Sequence, residues 1–145
     1  MRLCRSLALT LALLAPGAAH AAQKSIVGDW YEEATYGGYR TISIAHFRAD
    51  GTFTAEFRKC LQPGELDNTD TGHYIYENGH LRMITESRDG FWTMDIEEYQ
   101  TQSNDGQTWV YDSTSGSAVE KYGRIHFRDV RVTPSSKVPS CDLNS

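Results

Sequence analysis

The stretch Phe47–Phe57, FRADGTFTAEF, joins two runs of strand-forming residues through an Asp50-Gly51 step. After the step, Phe53, Ala55 and Phe57 alternate with polar residues, which is the period of two expected of a strand with one buried face. An Asp-Gly step suits a type I′ hairpin turn, because both central residues of that turn need positive φ. The stretch therefore predicts two antiparallel strands joined by a tight turn.

The same step recurs at Asn78-Gly79, Asp89-Gly90 and Asp105-Gly106, each time between strand-like segments. Tight turns between consecutive strands predict a meander, and about eight strand segments occur between residues 22 and 132, whereas no stretch has the residue spacing of a helix of any length. Closing a meander into a barrel removes its two exposed edges. We therefore predict an all-β fold, an antiparallel up-and-down meander of about eight strands forming one barrel domain over 22–132.

The first 21 residues are typical of a cleaved secretory signal peptide. Arg2 and Arg5 precede an apolar run from Leu7 to Ala15, and Ala19-His20-Ala21 fits a small-residue cleavage site. The apolar run is about half of the ~20 residues that span a bilayer. We expect a secreted or periplasmic protein with no membrane insertion after signal cleavage.

Signal cleavage would leave two cysteines, Cys60 and Cys141. An oxidising compartment allows such a pair to persist as a disulfide, which would tie the irregular tail, residues 133–145, to the barrel. The alternative is two separate buried thiols. Cleavage also removes Arg2 and Arg5, which changes the formal charge from −5 to −7, and this acidic balance argues against a nucleic-acid partner.

The sequence offers little positive evidence for catalysis or for a cofactor. Asp67, Asn68 and Asp70 come closest to a calcium loop, but their spacing is wrong. The histidines lack zinc-site spacing, although a histidine inside a barrel can hold haem. The carboxylate pairs at 32–33 and 97–98 are adjacent in the chain, so their members point to opposite faces of a strand. We predict no catalytic residue, no metal and no cofactor, and enzyme activity stays an open but less favoured alternative.

Gly28-Asp29-Trp30, on the first strand soon after the signal, resembles the Gly-x-Trp motif that opens lipocalins and related calycins. The resemblance implies that Gly28 and Trp30 help to close one end of the barrel, with an arginine from the last strand against the tryptophan. Arg128 and Arg131 are both candidates. It also implies a disulfide between a mid-barrel strand and the C-terminal segment, as Cys60 and Cys141 would form. The Thr-Asp-Tyr motif of the family is absent.

Several large apolar side chains share strand faces and either fill a solid core or line an apolar pocket. The candidate lining residues are Phe53, Phe57, Met83, Trp92, Met94 and Phe127. Two functions follow. The first is binding of a small apolar or amphipathic ligand in the cell envelope. The second is a solid-core barrel acting through its surface as an inhibitor or partner of another exported protein.

Overall fold

A computed structural model describes residues 24–36, 39–60, 68–136 and 141. The predicted signal peptide, residues 1–21, lies outside the described residues, as does most of the predicted irregular tail.

Eight antiparallel strands follow one another in chain order and close into a barrel in which the last strand returns to the first. They are β1 (Gly28–Tyr36), β2 (Tyr39–Phe47), β3 (Thr52–Lys59), β4 (Asn68–Glu77), β5 (His80–Arg88), β6 (Phe91–Asn104), β7 (Thr108–Ser115) and β8 (His126–Arg131). The predicted all-β meander is confirmed, and it is compatible with a lipocalin-like barrel. The expectation that the chain contains no helix is wrong. A short helix, α1 (Ser117–Tyr122), connects β7 to β8.

Two of the four Asp/Asn-Gly steps are the predicted type I′ turns. Asn78 and Asp89 have φ of 51° and 53°, and each is followed by a glycine of positive φ. Asp50 and Asp105 do not have positive φ, so the type I′ prediction is wrong there. The loop around Asp50 is two residues longer than a two-residue turn, and the loop around Asp105 is one residue longer. The Asp50 carboxylate accepts from the backbone N–H of Thr52, and the Asp105 carboxylate accepts from those of Gln107 and Thr108. All four steps are corners of the sheet.

Aromatic side chains fill the end of the barrel at which β1 starts, which we call the closed end. Trp30 and Trp109 are fully buried and meet edge to face, with ring centres 5.6 Å apart. Aromatic pairs in this arrangement contribute beyond the area they bury. The remaining core members are Ile26, Phe47, Phe53, Ala55, Leu81, Tyr99 and Tyr111, with Ala45, Tyr74, Tyr76, Met83 and Phe127 packed against them. The closed end is therefore a solid core.

Arg131, and not Arg128, covers Trp30 at the closed end. Its guanidinium carbon lies 4.3 Å from the indole centre, and its Nη1 donates to the carbonyl of Val27 at 2.9 Å. A Cβ on Gly28 would fall 2.2 Å from that Nη1, and Gly28 has a φ of +133°, where side chains are strained. Glycine at 28 is therefore required both by the backbone and by the arginine.

Cys60 and Cys141 form a disulfide, which ties the chain after β3 to the C-terminal segment. Cys141 is buried, so the pairing also fixes the tail against the body at this point. The predicted pairing is confirmed.

The outward and inward faces of β6 are the reverse of what its apolar pattern suggests. Trp92 is 80% exposed and Met94 is 56% exposed, whereas Glu97, two residues from the buried Tyr99, is largely buried. Tyr99 belongs to the core and sets the phase of the strand, so the alternation places Asp95 and Glu97 inside and the apolar residues outside. The expectation that Trp92 and Met94 line the interior is therefore wrong.

Candidate functional site: an opening between the first and last strands

The barrel is closed along one seam by very few hydrogen-bonded pairs. Between β1 and β8 the paired residues are Trp30 with Arg131 and Tyr31 with Val130. The neighbouring pairs of strands are joined over five or more residue pairs each, as in β7 with β8. The upper part of β1 therefore separates from β8 just past Tyr31.

A cleft of about 530 Å³ occupies the space beyond the end of this seam. It lies between the upper half of β1 and the segment from the end of α1 into β8. Its lining residues are Glu32, Glu33, Ala34, Thr35, Tyr122, Arg124, Ile125, His126 and Arg128. Its wall is mixed in character, because an aromatic ring and aliphatic groups lie beside carboxylates and guanidinium groups.

Two buried carboxyl groups face each other where the seam ends. Continuing the register of the seam by one residue places Glu32 opposite Asp129. Both are buried, at 7% and 3% exposed. Two carboxylates directly opposite each other on adjacent strands would repel each other, and this repulsion favours a proton on one of them.

The hydrogen bonds of Asp129 are incomplete. The hydroxyl of Tyr111 donates to Asp129 Oδ2 at 3.1 Å, and the hydroxyl of Ser43 donates to Glu32 Oε2 at 3.1 Å. The other oxygen of Asp129, Oδ1, is buried and has no hydrogen-bond partner among the described residues. A buried polar atom without a partner is uncommon in folded proteins and calls for an explanation.

Burial is the main reason that the pKa of Asp129 lies well above its ordinary value, and the nearby Glu32 raises that pKa further. The Tyr111 hydroxyl opposes the shift by donating to the ionised form. The same surroundings raise the pKa of Tyr111. Asp129 therefore keeps its proton to a higher pH than an ordinary carboxyl group does.

The outer wall of the cleft contains charged side chains with different surroundings. Glu33 points outward and is held by Arg40 and Tyr31, and the Arg40 hydrogen bond is the main reason that its pKa lies below the usual range. His126 Nδ1 lies 2.7 Å from a carboxylate oxygen of Asp112. Arg124 and Arg128 are exposed at the mouth of the cleft. The charged groups at the mouth are thus in contact with water, whereas Glu32, which also lines the cleft, is buried.

A second polar group lies inside the barrel near its open end, the end opposite Trp30. Arg88 donates two hydrogen bonds to Asp70, at 2.8 and 2.7 Å. Tyr99 donates to Glu97, whose pKa is raised mainly by burial. Because Asp70 and Glu97 both have protein partners, this group is a satisfied hydrogen-bond network, which stabilises the part of the barrel near its open end.

The structure separates the six residues predicted to line a pocket. Phe53 is a core residue, and Met83 and Phe127 pack against the core. Phe57 follows Phe53 on the same face of β3 but is 37% exposed. Trp92 and Met94 lie outside on β6, so the six residues do not form one pocket.

Sequence reasoning missed the residues that form the cleft. Glu32 was recognised only as one of two adjacent carboxylates on opposite faces of a strand, and the structure buries Glu32 and exposes Glu33. No sequence pattern marks Asp129, and its burial depends on contact with Glu32 across the seam. That contact joins the first strand to the last and has no local sequence signature.

Among the described residues, no group of three or more His, Cys, Asp or Glu side chains is arranged to hold a metal ion. In that same part of the chain, no helix is long and apolar enough to cross a membrane. Comparisons with protein-family models, with curated proteins and with solved structures gave no match. The function is therefore argued from the geometry of this chain alone.

Proposed function

We propose that this protein is an exported, lipocalin-like binding protein that holds a small amphipathic molecule in the cell envelope. The observation that carries the proposal is the opening between β1 and β8, where hydrogen bonding stops after two residue pairs and a cleft of about 530 Å³ begins. Pockets for small molecules typically have volumes of about 300–1,000 Å³.

The character of the cleft supports an amphipathic ligand over a purely apolar one. Tyr122, Ile125 and Ala34 offer apolar contact, and Glu32 with Arg128 offers charge. The closed end of the barrel is filled by aromatic side chains, so a ligand in the cleft lies beside the core and does not replace it.

The disulfide supports the export part of the proposal, because disulfides persist in oxidising compartments. Export is tested by measuring the mass of the protein purified from its own compartment. Cleavage after Ala21 gives a chain that starts at Ala22, and a protein that retains residues 1–21 in a reducing compartment contradicts export.

Ligand binding is tested by filling the cleft. Ala34→Trp places an indole in the cleft wall, and Ala49→Trp places the same group on an exposed turn at the closed end. N-phenyl-1-naphthylamine, a neutral fluorescent probe, is expected to bind the parent protein and Ala49→Trp alike, and to bind Ala34→Trp at least about tenfold more weakly. Native mass spectrometry of protein from its own compartment is expected to show a copurified small molecule. Equal binding by all three proteins, or no probe signal and no copurified mass, contradicts the proposal.

A second candidate function rests on the outer face of β6. Trp92, Met94 and Ile96 form an exposed apolar strip, the kind of surface that contacts a partner protein. A photo-cross-linking amino acid at position 92 is expected to capture an exported protein of one defined mass, and the same group at the exposed position 114 is expected to capture none. Absence of an adduct at position 92 contradicts a partner on this face.

A further inference from the structure

Two arginines that line the cleft have no hydrogen-bond or ion-pair partner among the described residues. They are Arg124 and Arg128, and both are exposed at the mouth of the cleft. Every other described arginine donates to a carboxylate or to a backbone carbonyl group: Arg40, Arg48, Arg58, Arg82, Arg88 and Arg131. In the described part of the chain, the guanidinium groups without a partner are therefore those of the cleft.

The mouth of the cleft is basic although the protein as a whole is acidic. The chain has a formal charge of −5, but residues 121–131, KYGRIHFRDVR, contain four of its 14 lysines and arginines and only one acidic residue. Lys121 adds a cation beside the mouth, because its ammonium group lies 4.9 Å from the centre of the Tyr122 ring, which lines the cleft. Positive charge is thus concentrated on the segment that forms one wall of the cleft.

The nearby carboxyl groups do not compensate the two arginines. Glu33 is paired with Arg40, whose Nε lies 2.6 Å from its Oε1. Glu32 is buried, whereas the arginines are exposed. Asp112 is engaged with His126, the remaining basic residue of the cleft wall. The charge that has no partner at the mouth is therefore positive.

We propose that the ligand of the cleft is an organic anion, whose carboxylate or phosphate group is bound by Arg124 and Arg128 at the mouth. The inference rests on the proposed ligand-binding function and specifies the class of the ligand. A guanidinium group presents a fork of N–H donors that matches the paired oxygens of a carboxylate or a phosphate. An anion at the mouth would give both arginines the partner that the described residues do not supply.

The distribution of charge also sets the direction in which such a ligand lies. The buried carboxyl group of Glu32 disfavours a second acidic group beside it, because charges act more strongly on one another where water is excluded. The exposed arginines attract the anionic group to the mouth. The apolar part of the ligand then packs against Ala34, Tyr122 and Ile125, which line the same cleft.

The exposure of the two arginines makes the proposed attraction sensitive to salt. Exposed charges are screened by dissolved ions, whereas apolar contact is not weakened in this way. Raising the sodium chloride concentration from about 20 mM to about 500 mM should therefore reduce the preference for an anion over a neutral molecule at least about twofold.

Four eight-carbon probes separate the sign of the charge from apolar contact: octanoate, octyl phosphate, octanol and octylamine. Calorimetric titration at pH 7 and low salt is expected to show both anions binding at least about fivefold more tightly than octanol, and octylamine binding more weakly than octanol. The tighter of the two anions identifies the head group as a carboxylate or a phosphate. Octanol or octylamine binding as tightly as the anions would overturn the proposal.

Charge-removing variants identify the residues. Arg124→Gln and Arg128→Gln are each expected to reduce the preference for the tighter anion over octanol about twofold to fivefold, and the double variant is expected to remove it. Arg48→Gln makes the same change of charge at the exposed closed end and is expected to leave the preference unchanged. Urea midpoints confirm that each variant is folded. A preference that persists in the double variant, or that Arg48→Gln reduces equally, overturns the assignment to the cleft arginines.

The same titrations distinguish failure of this inference from failure of the binding function. If N-phenyl-1-naphthylamine binds the parent protein and neither anion is preferred over octanol, the anion inference fails and the binding function stands. If neither the naphthylamine probe nor any eight-carbon probe binds, the binding function itself fails.

Discussion

Arg131 stacks on Trp30 and at the same time joins three segments of the closed end. Its guanidinium carbon lies 4.3 Å from the indole centre, and its Nε donates to the carbonyl of Gly106 at 2.6 Å. Its Nη1 donates to the carbonyl of Val27. One planar side chain therefore holds the segment before β1 and the β6–β7 turn against the buried indole.

Replacing Arg131 with lysine should lower the free energy of unfolding by about 2 kcal/mol, because an ammonium group can neither stack on the indole nor reach both carbonyls in the same way. Urea denaturation at pH 7 measures the change. Arg128→Lys, on the same strand but exposed at the cleft mouth, should change stability by less than about 0.5 kcal/mol. Equal effects at the two positions would show that Arg131 has no special part in closing the barrel.

Gly72 should not tolerate a methyl group. A Cβ there would lie 1.9 Å from the carbonyl oxygen of Ile84 on the neighbouring strand, at a register shift between β4 and β5. Because the contact is with backbone, Gly72→Ala should destabilise the protein by about 2–3 kcal/mol, and Thr71→Ala should cost less than about 1 kcal/mol. Thermal unfolding followed by circular dichroism compares the two variants, and similar melting temperatures would contradict the close approach.

The disulfide closes a segment whose ends are 81 residues apart in sequence. Loop-closure entropy for a loop of this length corresponds to about 4 kcal/mol. The variant with serine at both 60 and 141 should therefore melt well below the parent protein. Reductant should lower the melting temperature of the parent and leave that of the variant unchanged. If mass spectrometry shows that the parent protein is fully reduced and its melting temperature is still unchanged, the crosslink does not stabilise the fold.

The raised pKa of Asp129 gives stability a definite dependence on pH. The folded protein holds a proton on this group above 3.8, the ordinary pKa, whereas the unfolded chain releases it. The free energy of unfolding therefore falls as the pH rises above 3.8 towards the higher folded pKa. Asp129→Asn removes the titrating group and keeps an acceptor for Tyr111.

Between pH 5.5 and pH 8, the variant should lose less stability than the parent protein. Carboxylates such as Glu33, whose pKa is lowered by Arg40, have already ionised in both states over this range. Urea titrations at the two pH values provide the comparison. Parallel losses in the two proteins would mean that Asp129 does not keep its proton on folding.

Tryptophan fluorescence can test the orientation of β6. Trp30 and Trp109 are fully buried and Trp92 is 80% exposed, so acrylamide should quench only a part of the emission of the folded protein. Trp92→Phe should remove the quenchable part and shift the remaining emission to shorter wavelength. Emission that stays equally quenchable in this variant would place Trp92 inside the barrel.

Local sequence patterns were sufficient to predict the strands and the order in which they pair. Alternation around Phe53 and the Asp/Asn-Gly steps depend on residues close together in the chain, so they could be recognised one hairpin at a time. Which face of β6 points inward could not be recognised in this way. Trp92, Met94 and Ile96 form the more apolar face, and only the buried Tyr99 shows that this face is outside. Apolar alternation predicts a strand, but not which face meets the core.

The cleft was beyond sequence reasoning for a different reason. Glu32 and Asp129 are separated by nearly the whole barrel in sequence and meet only when the last strand reaches the first. Neither lies in a recognisable motif, and an isolated acidic residue in a strand ordinarily points to solvent.

The short seam between β1 and β8 also sets the order in which the molecule can be completed. Trp30 is synthesised about a hundred residues before Arg131, the side chain that covers it, and contacts so distant in sequence form slowly because a long loop must close first. A chain that lacks its last strand leaves the indole uncovered and two strand edges open. The barrel can therefore be completed only after its last strand has been made.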